Sequence, residues 1–393
     1  RWPVRVAEPQ PARPADGVLI AAVAALVAFG LIMIFSASSA YAVAIHHDAT
    51  YFLKRQLAWL LVALGGAFVA YRIDYRRLRR VAPWFFGLAL VGLVAVLVPH
   101  VGLSSGGARR WLGVGPLGFE PSEFAKPALV IYLAATLAAK GERIRSFASG
   151  VAPAVLASAL AAMLVVREPD LGTASLLVFS ALTMLFVAGA RLVHLTMLAV
   201  PLIPATIFIV RHDPYKFARI TAFLNPWADP RDKGFHIVQS LLALGSGGWF
   251  GVGLGFSRQK YFWLPEAHTD FIASIVGEEL GYLGMLVLLA LFILVAYRAV
   301  RIALHAPDRF GFLLAIGATA LLLPQALINV GVVSSSWPVT GVPLPFISFG
   351  GSSLVVSLVA VALILNVGRA RPLRRPAVRP LPATQAVLGA RGA

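Results

Sequence analysis

VLIAAVAALVAFGLIMIF, residues 18–35, runs for 18 positions without a charged or hydrogen-bonding side chain. As an α-helix it is about 27 Å long, close to the roughly 30 Å of a bilayer's hydrocarbon core. It exceeds the apolar core of about 7–15 residues found in a cleaved leader, and no convincing cleavage site follows it. The run is therefore read as a retained membrane helix. Nine more apolar stretches follow, at 52–70, 81–98, 123–139, 148–166, 171–190, 192–210, 271–297, 310–333 and 346–368, three of which, 52–70, 123–139 and 271–297, carry charged residues. The expectation is an all-α polytopic membrane protein, a bundle of ten transmembrane helices.

Composition agrees. Of 393 residues, 59% are hydrophobic and 13% charged, and the mean hydropathy is +0.81. A soluble domain carries about 25% charged residues, so this chain cannot cover itself with polar surface. With no cysteine, disulfides, thiolate nucleophiles and cysteine zinc sites are excluded. The eight histidines form no HExxH pattern, and no serine sits in a GxSxG turn.

The net charge of +17 would suit nucleic acid if it were clustered, but its distribution is topological. With the N-terminus inside, inner segments hold 21 of the 34 Lys and Arg, and short outer segments hold 5. Positive charge collects on the cytoplasmic side, so both termini are expected there, with no nucleic-acid partner. Residues 1–16 form an N-terminal arm, 17–368 the membrane domain and 369–393 an Arg/Pro-rich tail. Between helices 7 and 8 runs a long extracytoplasmic loop, 211–270, whose apolar pieces Ile237–Leu244 and Tyr261–Leu264 are expected to form short interfacial helices.

Charge near a membrane span is retained for pairing or for function, and the outer side collects it. Around 100–126 stand Arg109, Arg110, Trp111, Glu120, Glu123 and Lys126. Ser122 is a candidate helix cap, and Glu123 can pair with Lys126 one turn on. Alternatively Lys126, with Arg109 or Arg55, makes a cationic site for a phosphate. Arg167-Glu168-Pro169-Asp170 marks a tight turn whose charges either end helices or act. A glycine-rich stretch, 245–255, leads to Glu266, His268, Thr269 and Asp270, then into an apolar helix. The glycines read either as close packing or, weakly, as phosphate binding. Asp270 is either an N-cap or a functional acid. Glu278 and Glu279 lie two turns further, where at least one must face protein or a water-filled cavity. Last comes PVTGVPLPFISFGGSS (338–353), charge-free with three prolines. Such irregular backbone is tolerated at membrane depth only when protein covers it.

Four of these runs, GARRWLGVGPLGFEPSEFAK (107–126), EPDLGTA (168–174), PEAHTDF with GEELG (265–271 and 277–281) and PVTGVPLPFISFGGSS, together resemble the SEDS family of shape, elongation, division and sporulation proteins. The resemblance covers about 17–368. GEELG is similar to the division and sporulation branches, whereas Thr340 stands where many division proteins carry Lys; the balance leans to the FtsW-like branch over the RodA-like one. Membership implies a peptidoglycan glycosyltransferase that polymerises lipid II at the outer face of the bacterial cytoplasmic membrane. It also implies a class B penicillin-binding protein as partner, among other division or elongation proteins. Carried over residue by residue, the essential acid is Asp270, the candidate general base. Arg55, Arg109, Trp111, Glu123, Lys126, His268 and Thr269 are the substrate and diphosphate candidates, with a divalent cation, Mg or Mn, as a candidate helper. A lipid II flippase or a non-enzymatic scaffold of the division or elongation machinery is the alternative.

Overall fold

The computed structural model describes residues 14–105, 108–113 and 118–370. The expectations for the two arms therefore fall largely outside the described residues. The chain runs α1 (Gly17–His46), α2 (Tyr51–Arg72), α3 (Tyr75–Leu97), β1 (Leu103–Ser105), β2 (Ala108–Trp111), α4 (Pro121–Lys140), α5 (Ala152–Arg167), α6 (Leu171–Val187) and α7 (Leu192–Arg211). It continues with α8 (Pro214–Leu224), α9 (Phe235–Gly247), α10 (Ile272–Leu304), α11 (Arg309–Val333) and α12 (Gly351–Arg369). Each of the ten apolar stretches becomes a helix. Eight helices are long and apolar enough to cross a bilayer, and α6 and the Leu192–Phe208 part of α7 add further apolar helix to the bundle. The protein is an all-α polytopic membrane bundle whose described sheet is the β1–β2 antiparallel hairpin.

Helices α4, α11 and α12 form its centre. In α12, 83% of the most apolar stretch is buried, against 17% in α2. Helix α2 packs along α12, α3 along α4 and α10 along α11. Lipid gives helices no hydrophobic reason to associate, so small residues and hydrogen bonds hold them. Gly351 admits the Trp59 indole, within 2.2 Å of where a Cβ would stand. Asn366 in α12 donates to the carbonyls of Ala70 and Tyr71 at 2.7 and 3.1 Å, closing the end of α2.

The two ends of the bundle differ. At one, side chains tie helix termini together: Asp16, the N-cap of α1, meets Arg298 of α10 at 3.0 Å, and Asp308, the N-cap of α11, accepts from Tyr75 and from Arg76 of α3. At the other gather the hairpin, the 168–170 turn, the 212–271 connection and the 334–350 segment. Arg110 donates to the carbonyls of Glu168 and Pro169 at 3.0 and 2.6 Å, and Gly172 lies against Thr340 and Val342.

Two expectations change. Residues 346–350 are not helical; α12 begins at Gly351, and Val342, Leu344, Phe346, Ile347 and Ser348 are buried in protein. Tyr261–Leu264 forms turns rather than a helix, with Phe262 at φ 66° and a proline at 265. The apolar segment Ile237–Leu244 does lie in a helix, α9.

Helix α10 is broken at Gly281, whose φ and ψ are 65° and −164°. The glycine-rich stretch fills the break with its own backbone. Val252 N and Gly253 N donate to the carbonyls of Glu278 and Glu279, both at 3.0 Å, while Tyr282 N and Leu283 N donate to those of Gly248 and Trp249 at 2.9 and 3.1 Å. A Cβ on Gly251 would stand 2.1 Å from the Glu279 carbonyl, and one on Gly281 would stand 2.4 Å from Gly251 N. These glycines serve close packing. Gly251→Ala or Gly281→Ala is expected to lower the melting temperature of the detergent-solubilised protein by several degrees, from about 1–3 kcal/mol of strain. Gly245→Ala, where nothing lies within 4 Å, should leave it unchanged or slightly higher.

Candidate active site

Asp270 is half-buried at the mouth of α10. It does not cap the helix: the N-cap position is Phe271, without a side-chain cap bond. Its backbone is fixed instead. Asn329, on the central helix α11, donates to the Asp270 carbonyl at 2.8 Å and to the Val342 carbonyl at 2.9 Å. Ser348 donates to the neighbouring Thr269 carbonyl at 2.6 Å. Gly341, at φ 72°, lies beside the carboxylate; a Cβ there would be 3.4 Å from Oδ2.

Burial raises the Asp270 carboxyl to about 7, and Glu266 adds to the shift; Arg219 opposes it, Asp170 adds, and Arg110 opposes. Among the described residues no side chain or amide donates to this carboxylate. It is a weak acid of near-neutral strength with its lone pairs available, the condition a general base requires.

The other candidates fall into three settings. His268 packs among rings, 4.5 Å from Phe52 and 5.6 Å from Tyr41 between centroids, and burial lowers its pKa. Thr269 donates to the Glu266 carboxylate at 2.6 Å. Arg55, on α2, lies over Tyr51 and Phe349 at 5.7 and 5.9 Å. His268 is thus packed against α1 and α2. On the hairpin, Trp111 stacks over Gly118, and Arg109 sits on β2 opposite Ser104, its side chain outside the described residues.

Deepest is the pair Glu123–Lys126. Lys126 Nζ lies 2.7 Å from the carboxylate and 3.1 Å from Gln325 Oε1, with both charged side chains almost fully buried. The pairing read from their i, i+3 spacing is present. Ser122 is not the cap: α4 opens at Pro121 after Glu120, and the Ser122 hydroxyl is buried without a partner.

Several residues of this region carried little sequence signal. Gln325 and Asn329 sit one turn apart in the charge-free run 310–333, so the polar face they make was the available clue. Arg219 comes from α8, an element the apolar runs do not reveal; it donates to the Val339 carbonyl at 3.3 Å. Glu168 is fully buried and neither carboxyl oxygen has a partner. Burial, with Glu120 and Asp170 nearby, raises it to about 8, and Glu120 is raised likewise to about 8. Asp170 does cap α6, accepting from Thr173 N at 2.9 Å. Glu278 and Glu279 both face protein. Glu279 accepts from Ser36 at 2.7 Å and from Lys260 at 3.2 Å, and Glu278 accepts from Arg258 N at 2.9 Å. Among the described residues no three His, Asp or Glu side chains converge.

Residues 17–372 match the FtsW/RodA/SpoVE family, described as cell cycle protein. The chain is 44% identical to the "Probable peptidoglycan glycosyltransferase FtsW" of Trichlorobacter lovleyi, over 93% of this chain and 95% of that protein. It is 43% identical to stage V sporulation protein E of Bacillus subtilis, over 90% and 97%. Among solved structures it resembles a chain of a peptidoglycan synthase complex that coordinates polymerization and crosslinking, with a TM-score of 0.73 and 30% identity over 90% and 98% of the two chains. It also resembles the rod shape determining protein RodA of Thermus thermophilus, with a TM-score of 0.68 and 30% identity over 92% and 98%.

Two measurements test this geometry. Lys126→Ala leaves Glu123 buried without its cation and should destabilise by about 3–5 kcal/mol in thermal or denaturant unfolding, whereas the double neutral variant Glu123→Gln/Lys126→Met should be much milder. For Glu168, the raised folded pKa means the protonated carboxyl favours the fold. That contribution is complete below the ordinary value of 4.5 and is lost by about pH 8. Melting temperatures measured from pH 5 to 8 should therefore fall less steeply in Glu168→Gln than in the parent protein.

Proposed function

The chain belongs to the FtsW/RodA/SpoVE family of cell cycle proteins, the SEDS family, and from that membership we propose that it is a peptidoglycan glycosyltransferase polymerising lipid II into glycan strands. The named activity of its full-length relatives supports the reaction, and the division and sporulation relatives support an FtsW-like role. The excess of Lys and Arg at the Asp16–Arg298 end supports a cytoplasmic position for that end, in the bacterial inner membrane, with Asp270 on the outer face. A class B penicillin-binding protein is the partner that would crosslink the product, in keeping with the synthase complex the chain resembles.

The observation that carries the mechanism is the Asp270 carboxylate, near-neutral in strength and free of donors. The 4-hydroxyl of one GlcNAc attacks the anomeric carbon of a lipid-linked MurNAc, and undecaprenyl diphosphate leaves. Asp270 accepts the hydroxyl proton as the bond forms. A single displacement inverts the α-linked donor to a β-linked glycan, so no covalent carboxylate intermediate is required. Arg110 and Arg219, whose charges reach Asp270, join Arg55 and Arg109 as the cations that would stabilise the departing diphosphate. Lys126, already bound by Glu123 and Gln325, would act by holding α4 and α11 in place beneath them. A transporter needs a polar route between leaflets, whereas the described acids other than helix caps and surface pairs concentrate at one end.

Reconstituted with its partner and given fluorescent lipid II, the protein should make glycan polymer, and Asp270→Asn should fold, insert and make none. Polymer from the Asn variant at the parent rate, or leaflet transfer without polymer from the parent protein, would sink the assignment. Only the carboxylate accepts a proton, so with the folded pKa at about 7 the initial rate should drop about tenfold per unit below that pH and level off above it.

A further inference from the structure

At the end of the bundle opposite Asp270 lies a cavity of about 500 Å³, lined by Arg76, Arg79 and Arg80 of α3 and by Asp308, Arg309 and Phe310 of α11. Positions 76, 79 and 80 share one helix face, so three guanidiniums point to one hollow, and Arg309 adds a fourth from across it. The single carboxylate there is engaged: Asp308 accepts from Tyr75, from Arg76 at 3.1 Å and from Gly311 N at 2.8 Å. Arg309 turns one nitrogen to the Ala188 carbonyl at 2.8 Å. Arg79 and Arg80 are exposed, with no ion-pair partner among the described residues. Four guanidiniums against one carboxylate leave a lining charge of +3. Helices α3 and α11 also both begin at this cavity, at Tyr75 and Arg309, adding the positive ends of two helix dipoles.

Membrane orientation alone does not require this convergence. Some other basic residues at the same end are met locally: Arg145 pairs with Glu142 at 3.7 Å and Arg301 lies over Tyr297 at 5.8 Å. One helical turn beyond Arg80, on the same side of α3, begins an exposed apolar stripe of Trp84, Leu88 and Val91, exposed by 82%, 62% and 64%. Trp at that level is an interfacial anchor. A cationic hollow continuous with an apolar stripe matches a molecule with an anionic head and acyl tails.

We propose that this cavity binds the phosphate-bearing headgroup of an anionic membrane lipid, with Arg79, Arg80 and Arg309 holding the phosphates and the tails lying along Trp84, Leu88 and Val91. The charge of +3 favours a lipid with two phosphates over one with a single phosphate. Bound there, the lipid ties α3 to α11, the helix that carries Gln325 and Asn329.

The full chain, purified in detergent and stripped of lipid, is titrated with cardiolipin, phosphatidylglycerol and phosphatidylcholine, and retention is read by native mass spectrometry. Cardiolipin should be retained most and phosphatidylcholine least. Arg79→Gln/Arg80→Gln should weaken cardiolipin retention by roughly tenfold or more, while Arg143→Gln/Arg145→Gln, which removes equal charge at the same end, should change it less than twofold. Both altered arginines are exposed, so the melting temperature should hold; Arg309→Gln gives a second reading if it does not. Equal losses in the two double variants would mean diffuse attraction and overturn the site. No preference for anionic lipid in the parent protein would do the same. Complete displacement of cardiolipin by millimolar inorganic diphosphate would assign the cavity to a soluble anion instead.

Discussion

The backbone exchange across Gly281 is the contact on which the rest of the active end depends. A bilayer supplies no water to an interrupted helix, so a break in α10 can exist only where other protein atoms take up its amides and carbonyls. Residues 248–253 do this with two donors and two acceptors. The same exchange anchors the glycine-rich stretch, and the buried pair Lys260–Glu279, with Ser36 of α1, holds the chain that leads on to Glu266 and Asp270. Polar atoms that would otherwise be orphaned thus become the means of placing an acid at the mouth of a membrane helix.

Much of the architecture was legible because lipid imposes so simple a demand. Ten apolar stretches became ten helices, and the charge-free proline-rich segment was covered by protein, as its composition required. The break in α10 was not legible: Ile272–Leu304 is apolar throughout apart from Glu278 and Glu279 and two terminal arginines, and a glycine among such residues is common in membrane helices. Its partners lie some thirty positions earlier, so no local pattern links them. Turn chemistry overrode apolarity at Tyr261–Leu264, where Phe262 adopts a left-handed backbone. At the site, acids and cations announced themselves by their cost in a membrane. Gln325 and Asn329 did not, because they carry no charge and two amides do not interrupt the long apolar run 310–333, and Arg219 was hidden in an amphipathic helix too short to register as a span.

Charge is used differently at the two ends. Near Asp16 and Asp308 each carboxylate meets a cation or a hydroxyl and joins helix termini, which fixes how the bundle closes. Around Asp270, acids outnumber the partners they have, and burial keeps Glu120, Glu168 and Asp270 nearer neutrality. A region that retains acids without compensating them keeps free energy in reserve, and a polyanionic substrate would enter it only alongside the nearby arginines.

Asn329 has a wider consequence. One amide, rooted in the central helix α11, grips the chain at Asp270 and at Val342 together. The acid is thereby surveyed from a second benchmark, in α11, besides the anchored connection that precedes it. Length changes between α7 and α9, upstream of the glycine-rich stretch that is itself tied to α10, can be absorbed there without carrying an error in position to the carboxylate.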